Sequence, residues 1–194
     1  MFTDAVIDLE TMSLDPRDFG AILQIGVVTF DRYADKPLET LTVWNYNIET
    51  HTMHGEQKTI DWWNSTNPKY FEHLLKAPNA VPIDRALESL ANTLQSDNLQ
   101  AVWGNGVLMD NAFLINIYHK LLKPVPWTYR QDACFRTIMS QVVTDYKSLK
   151  GAAKHFTEDY NKVDAYWQEH NACFDAMLEA VCLIESGVLT NGIL

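Results

Sequence analysis

The sequence predicts an α/β fold in which helices flank a mixed sheet of five strands. The first observation is a succession of three strand-like segments, rich in apolar and β-branched residues, at 5–7, 21–30 and 41–48. The second is that helical patterns then alternate with two short apolar segments, at 99–103 and 129–134. Three successive strands followed by such an alternation are typical of a mixed sheet with helices on its faces.

The order of the segments also predicts how the strands are arranged. The first strand is a short apolar segment that runs directly into Asp8, and the next two follow it without an intervening helix, which favours an antiparallel meander. In open α/β sheets, functional sites gather where strands end and helices begin. The polar residues at those positions are therefore the candidates for a site.

The helices are predicted from apolar spacing and from the residues at their ends. Pro82 opens the third helix, in which apolar residues recur every three or four positions. The fourth begins at Asp110 and stops before Pro124, and Gly187 ends the last one. The predicted helices span 59–65, 68–75, 83–95, 110–122, 136–143, 148–156 and 171–186.

Composition and charge limit the classes of function that this chain can have. The chain has 194 residues, 47% of them hydrophobic, and no repeat, low-complexity tract or Gly/Ser linker, so we assign residues 1–194 to one domain. Its 25 acidic against 15 basic residues give a net charge of −10, which argues against a protein that coats nucleic acid. Three cysteines without a CxxC pair, no apolar run long enough to span a membrane and no signal peptide predict a cytoplasmic protein.

Two acidic residues stand where the first strand ends. Asp8 and Glu10 are two positions apart, so in an extended segment their side chains point to the same face. Paired carboxylates beside a core strand call for a cation, and their oxygens suit Mg²⁺ or Mn²⁺. A single D-x-E triplet is also explained by a solvated acidic loop, so the pair alone leaves both interpretations open.

Two further elements supply acidic groups and an imidazole. Asp110 begins a helix, where an acid also complements the helix dipole or caps free N–H groups. His170 precedes Asp175 by five residues, which places the histidine on a loop and the acid one turn inside the last helix. A surface or capping histidine is the plain alternative for this spacing.

Taken together, these groups suit phosphoryl hydrolysis with two metal ions. Four carboxylates hold the ions, one of which activates water while the other stabilises the leaving oxygen. Histidine is the side chain best suited to take a proton from that water at neutral pH. The catalytic candidates are Asp8, Glu10, Asp110, His170 and Asp175.

The same residues resemble the DEDDh 3′→5′ exonucleases of the ribonuclease H-like fold. Residues 8–16 are similar to their first motif, commonly D-x-E-T-T-G-L-D-P, with Met12 and Ser13 in place of Thr and Gly. Asp110 matches the second motif, and His170 with Asp175 matches the third. Segments 59–63, 103–106 and 135–137 look most like a small bacterial and phage branch that includes exonuclease A-like proteins and exoribonucleases.

The resemblance implies a sheet of three antiparallel and two parallel strands, and a role for each site residue. Asp8, Glu10, Asp110 and Asp175 bind two Mg²⁺ or Mn²⁺ ions, and His170 is the general base. By the same resemblance, the backbone around Thr11 and Met12 contacts the terminal nucleotide, and Leu14 wedges against its base. Asn105 is a further expected substrate contact.

The expected partners are single-stranded 3′ ends of DNA, which is favoured, or RNA, and the expected products are 5′-mononucleotides. Relatives with this fold also suggest a homodimer, and no membrane partner is expected. The rival hypotheses are a non-catalytic module that binds nucleic acid ends or a protein, and an exoribonuclease acting on short RNA. Because the net charge is −10, we expect weak, distributive attack on a few terminal nucleotides.

Overall fold

In a computed structural model of the chain, which describes residues 1–18, 21–50, 55–160 and 166–189, five strands form one mixed sheet. The spatial order is β3-β2-β1-β4-β5. β1 pairs with β2, and β2 with β3, in antiparallel fashion, whereas β4 runs parallel to both β1 and β5. The predicted mixed sheet is confirmed. Its strands are β1 (Asp4–Thr11), β2 (Ile22–Phe30), β3 (Thr42–Asn47), β4 (Ala101–Gly104) and β5 (Asp132–Cys134).

Seven α-helices flank the sheet within the described residues. They are α1 (Gln57–Thr66), α2 (Pro68–Leu75), α3 (Ile83–Thr93), α4 (Asp110–Lys120), α5 (Phe135–Val142), α6 (Tyr146–Asp159) and α7 (Ala172–Glu185). Gly187 has a φ of 67°, as expected for a glycine just beyond a helix end. Within the described ranges, none of these helices is long and apolar enough to span a membrane.

Two strand boundaries differ from the prediction. β1 continues to Thr11, so Asp8 and Glu10 lie within the strand and pair with β2 instead of following its end. The fifth strand is shorter in the structure than the predicted segment 129–134, because Tyr129–Gln131 forms a turn of 3-10 helix. Thr128 and Gln131 close that turn with reciprocal side-chain to backbone hydrogen bonds, which compete with an extended conformation.

Side chains of β1 alternate between two cores on opposite faces of the sheet. Ile7 and Leu9 belong to the apolar core beneath α1–α4, whereas Val6 belongs to the core beneath α5–α7. Asp8 and Glu10 have the parity of Val6. Their carboxyl groups therefore lie on the face of the sheet that α7 covers.

The start of α7 approaches the sheet unusually closely. Gly26 of β2 is paired with Asp8, and a Cβ at Gly26 would lie 2.2 Å from the backbone of Ala172. The Ala172 N–H donates to Gln24 Oε1 at 2.9 Å, and Asn171 caps the helix by accepting from the backbone N–H groups of residues 173 and 174. These contacts fix the first turn of α7 against β2, beside the acidic part of β1.

Candidate active site

Three carboxyl groups meet between β1 and α7. Asp8 and Glu10 project from the strand, and Asp175 projects from the first turn of the helix. Each offers an oxygen, and these oxygens all lie within 4.8 Å of one another. Oxygen ligands at this spacing suit a hard divalent cation such as Mg²⁺. Among the described residues, these three form the one group of acids, histidines or cysteines with such geometry.

The acids near the two ends of β1 differ in how their charge is compensated. Asp4, at the other end of the same strand face, pairs with the buried Arg32. Within the described residues, by contrast, neither Asp8 nor Glu10 forms an ion pair with a lysine or arginine. Because buried carboxylates require compensation, this part of the site fits a bound cation.

Asp110 is the first residue of α4 and only 4% of its surface is exposed. It lies outside the group of three, although its charge acts on both Asp8 and Glu10. Gly104, at the end of β4, lets the strand pass close to the start of α4, since a Cβ at this position would lie 3.1 Å from Asp110 Oδ2. Asp110 stands in the first turn of α4, so complementing the helix dipole and binding a cation both remain explanations for this acid.

His170 stands on the loop just before α7, at the exposed mouth of the site. Its backbone is in the left-handed region, with a φ of 67°, and its N–H donates to Asp175 Oδ2 at 2.9 Å. Its ring meets the edge of Trp62, with ring centroids 5.1 Å apart. Backbone and ring contacts together hold the imidazole close to the carboxyl groups.

Asp8, Glu10, His170 and Asp175 line a cavity of about 450 Å³, and Asp110 lies outside its lining. Asn105, from the loop between β4 and α4, lies in its wall, as do Tyr146 and Lys150 of α6. A larger cavity of about 870 Å³ lies beside β5, around Arg32 and Arg130. It contains none of the predicted site residues, so size alone does not identify the site.

Sequence reasoning missed two acids in this cavity, the exposed Glu169 and the buried Glu179. Glu179 lies one turn after Asp175 on α7, lines the same cavity and is only 5% exposed. Its Oε2 atom is buried and has no hydrogen-bond partner within the described residues. The available signal was the four-residue spacing of two acids in a helix that is otherwise almost entirely apolar.

Burial and mutual repulsion disfavour the charged forms of these acids. The pKa values of Asp8, Glu10 and Glu179 are raised well above the ordinary range, first by burial and then by the neighbouring carboxylates. Burial raises the pKa of Asp110 to about 7 and that of Asp175 to about 6. A bound divalent cation would reverse this preference by favouring the ionised carboxylates.

A second, mainly apolar pocket of about 310 Å³ adjoins Glu10. Thr11, Leu14 and Trp62 contribute to its lining, and Leu14 is 63% exposed. Met12 does not reach this pocket: its side chain is buried, its N–H donates to Ala21 O at 2.7 Å, and its carbonyl accepts from the N–H of residue 56. The structure thus brings Thr11 and Leu14 beside the acidic cavity and leaves Met12 in the core.

The sequence model of one protein family, the 3′-5′ exoribonuclease Rv2179c-like domain, matches residues 3–185. The chain belongs to this family. Membership identifies it as a 3′-5′ exonuclease, and the recognised resemblance to the exonucleases is confirmed at this level. Among curated proteins, no sequence matches the chain.

Solved structures show that the Rv2179c-like domain shares its fold with ribonuclease H-like nucleases. The RNase domain of the yeast Pop2 protein has a TM-score of 0.63 and 13% identity, covering 98% of this chain and 78% of that one. S. pombe Pop2p, in its Mg²⁺- and Mn²⁺-bound form, has a TM-score of 0.61 and 17% sequence identity, and the match covers 96% of this chain and 83% of that one. The nuclease domain of 3′hExo, a DEDDh family member bound to rAMP, has a TM-score of 0.56 and 14% sequence identity, and the match covers 97% of this chain and 92% of that one.

The acidic cavity predicts an unusual pH dependence for the metal-free Rv2179c-like domain. The folded-state pKa values of Asp110 and Asp175, about 7 and about 6, exceed the ordinary value of 3.8 that applies in the unfolded chain. Their contribution to stability is therefore fully present below pH 3.8 and is lost as the pH rises through 6 and 7. In EDTA, we expect the melting temperature to fall between about pH 4 and 7.

Scanning calorimetry at several pH values measures this slope. The Asp175→Asn variant is expected to flatten it, because the amide does not titrate. Saturating Mg²⁺ or Mn²⁺ is also expected to flatten it, since binding stabilises the ionised acids. A melting temperature that rises over the same pH range in EDTA would contradict the raised pKa values.

Proposed function

We propose that this chain is a divalent-metal-dependent exonuclease that removes 5′-mononucleotides from the 3′ ends of single-stranded nucleic acid. The observation that carries the proposal is the group of Asp8, Glu10 and Asp175, whose oxygens lie within 4.8 Å of one another. Family membership supplies the 3′-5′ direction. The donor set fits Mg²⁺ or Mn²⁺, because all three side chains offer hard oxygen ligands in a partly buried cavity.

Each site residue has a role in this proposal. Asp8, Glu10 and Asp175 hold one divalent ion, and Asp110 contributes to a second ion at the adjoining end of α4. Ions bound there would activate a water molecule and offset the charge on the leaving oxygen. His170 accepts the proton of the attacking water from its place at the cavity mouth, where solvent can carry the proton away.

The apolar pocket beside Glu10 is the proposed site of the terminal base. Leu14 and the half-exposed Trp62 offer apolar and aromatic surface, and stacking on an aromatic side chain stabilises a bound base by about 1–3 kcal/mol. Asn105 lines the adjoining acidic cavity, where its oxygens accept hydrogen bonds from Arg136, and its contact with the substrate remains part of the proposal. The terminal base and its scissile phosphate would thus lie on opposite sides of Glu10.

RNA is the proposed substrate class, because the matching family is described as an exoribonuclease domain. The sequence favoured DNA, and the geometry of the pocket does not separate the two sugars. The net charge of −10 supports binding that is limited to the terminal nucleotides, and release of the strand after each cleavage.

The test compares 5′-labelled single strands of RNA and DNA of identical sequence, each with a free or a blocked 3′ end. With Mg²⁺ or Mn²⁺, we expect a ladder that shortens from the 3′ end, faster on RNA, and 5′-mononucleotides as products. EDTA and the 3′ block are both expected to abolish it. Absence of any mononucleotide release, or cleavage that starts at the 5′ end, would refute the proposal.

A further inference from the structure

We infer that Glu179 is a positioning residue of the proposed metal site, where its carboxylate accepts a hydrogen bond from water bound to the divalent cation. This inference rests on the proposed function and adds a fifth carboxylate to the four acids expected from the sequence. Three observations carry it: the burial of Glu179, its place beside Asn105 in the lining of the acidic cavity, and the Oε2 atom that has no partner within the described residues.

Glu179 is a buried carboxylate among apolar neighbours, and Arg136 and Asn105 offset its charge only in part. Residues four positions apart share one face of a helix, so Glu179 follows Asp175 on the side of α7 that faces the cavity. Its neighbours Leu178 and Ala180 are buried in the apolar core beneath α5–α7. Burying a carboxylate among apolar residues is costly unless hydrogen bonds or a cation compensate it. A solvated acid is excluded because only 5% of Glu179 is exposed.

Asn105 is the polar neighbour that favours the charged form of Glu179 and so lowers its pKa. Arg136 donates from Nη2 to the backbone oxygen of Asn105 at 2.8 Å and from Nε to its Oδ1 at 3.4 Å. With Oδ1 accepting from Arg136, the amide nitrogen of Asn105 is the group that can donate to Glu179, whose charge it stabilises. Arg136 therefore holds the Asn105 side chain in place, and the Asn105 amide orients the Glu179 carboxylate.

Among the described residues, no protein group forms a hydrogen bond with the Oε2 atom of this carboxylate. Oε2 is buried and has no partner within the described residues, and a lone buried acceptor of this kind requires a ligand or water. Glu179 does not belong to the group whose oxygens lie within 4.8 Å of one another. Because Mg²⁺ keeps several of its waters in proteins, contact through a cation-bound water fits this more distant position.

Metal binding by the full-length chain tests the inference directly. Mn²⁺ is titrated calorimetrically into wild type, Glu179→Gln and Glu185→Gln. Glutamine keeps the shape of the Glu179 side chain but replaces one acceptor oxygen by a donor amide, and we expect Mn²⁺ affinity to fall about 10–100-fold. Glu185 lies on the same helix but is exposed, so its replacement removes the same charge and is expected to change affinity by less than about twofold.

A second variant separates positioning from a general effect on folding. Asn105→Ser removes the amide that orients Glu179, and it should weaken Mn²⁺ binding in the same direction. If the two residues act as a unit, the double variant loses no more affinity than Glu179→Gln alone. Melting curves in EDTA should show Glu179→Gln at least as stable as wild type, because a buried acid among like charges is removed.

The outcomes distinguish this inference from the proposed function. Wild-type chain that binds Mn²⁺ but releases no mononucleotide would contradict the nuclease proposal. Glu179→Gln that binds Mn²⁺ within about twofold of an active wild type would overturn the role of Glu179 alone. Wild-type chain that binds no Mn²⁺ would overturn both.

Discussion

Replacing His170 by asparagine is expected to lower kcat by about 10²–10⁴-fold while leaving Mn²⁺ affinity almost unchanged. The proposed role of the imidazole is to accept the proton of the attacking water, and neither asparagine nor alanine can do so at neutral pH. Asparagine is preferred to alanine because His170 has a φ of 67°, a conformation that asparagine tolerates and alanine does not. It also keeps the backbone N–H that donates to Asp175.

The measurements are single-turnover rates on a 5′-labelled strand and Mn²⁺ titration of the same preparations. Asp8→Asn is the comparison variant, because it removes a carboxylate from the group proposed to hold the cation and is expected to lose both metal affinity and turnover. The general-base role is wrong if His170→Asn loses the metal yet keeps its residual rate per bound ion.

Local sequence patterns predicted most of what forms the site. The D-x-E spacing placed Asp8 and Glu10 on one face, and that remains true although β1 is longer than expected, because alternation continues along the strand. The helix starts at Asp110 and before Asp175 were also predicted from sequence. Such features depend on neighbouring residues along the chain, which a sequence displays directly.

Features that depend on close tertiary approach were not predictable in the same way. The short distance between β2 and α7 requires a glycine at position 26, yet nothing in the sequence pairs Gly26 with Ala172. The resemblance assigned the backbone around Met12 to the substrate; the Met12 side chain packs in the core, and its N–H and carbonyl form hydrogen bonds with distant segments. Glu179 was overlooked because an acid in a helical pattern normally faces solvent, and only packing shows that it is buried.

The acidic excess of the chain is partly a property of the site. Asp8, Glu10, Asp110, Asp175 and Glu179 bring five of the 25 acids into one region of the molecule. Their repulsion opposes folding in the absence of cations and favours cation binding once the chain is folded. The charge that argued against a protein that coats nucleic acid is therefore compatible with an enzyme that holds only the end of a strand.

Replacing Asp4 by asparagine is expected to destabilise the folded chain by about 3–5 kcal/mol. Asp4 is fully buried at the start of β1, where its two oxygens accept hydrogen bonds from Arg32, from Trp103 Nε1 at 2.8 Å and from Thr3 Oγ1 at 2.8 Å. The substitution leaves the buried Arg32 guanidinium without its counter-charge and replaces one acceptor oxygen by a donor. The cost arises mainly from that uncompensated charge, since a buried ion pair by itself stabilises little.

Urea unfolding of wild type and Asp4→Asn measures the change, with a constant m-value as evidence that the unfolding transition is comparable. Asp15→Asn is the matched control, because Asp15 also accepts from two nitrogens of one arginine, Arg17, but that pair is exposed to solvent. We expect its unfolding midpoint to remain at the wild-type value. Equal midpoints for all three chains would mean that the Asp4–Arg32 pair does not stabilise the strand on which Asp8 and Glu10 stand.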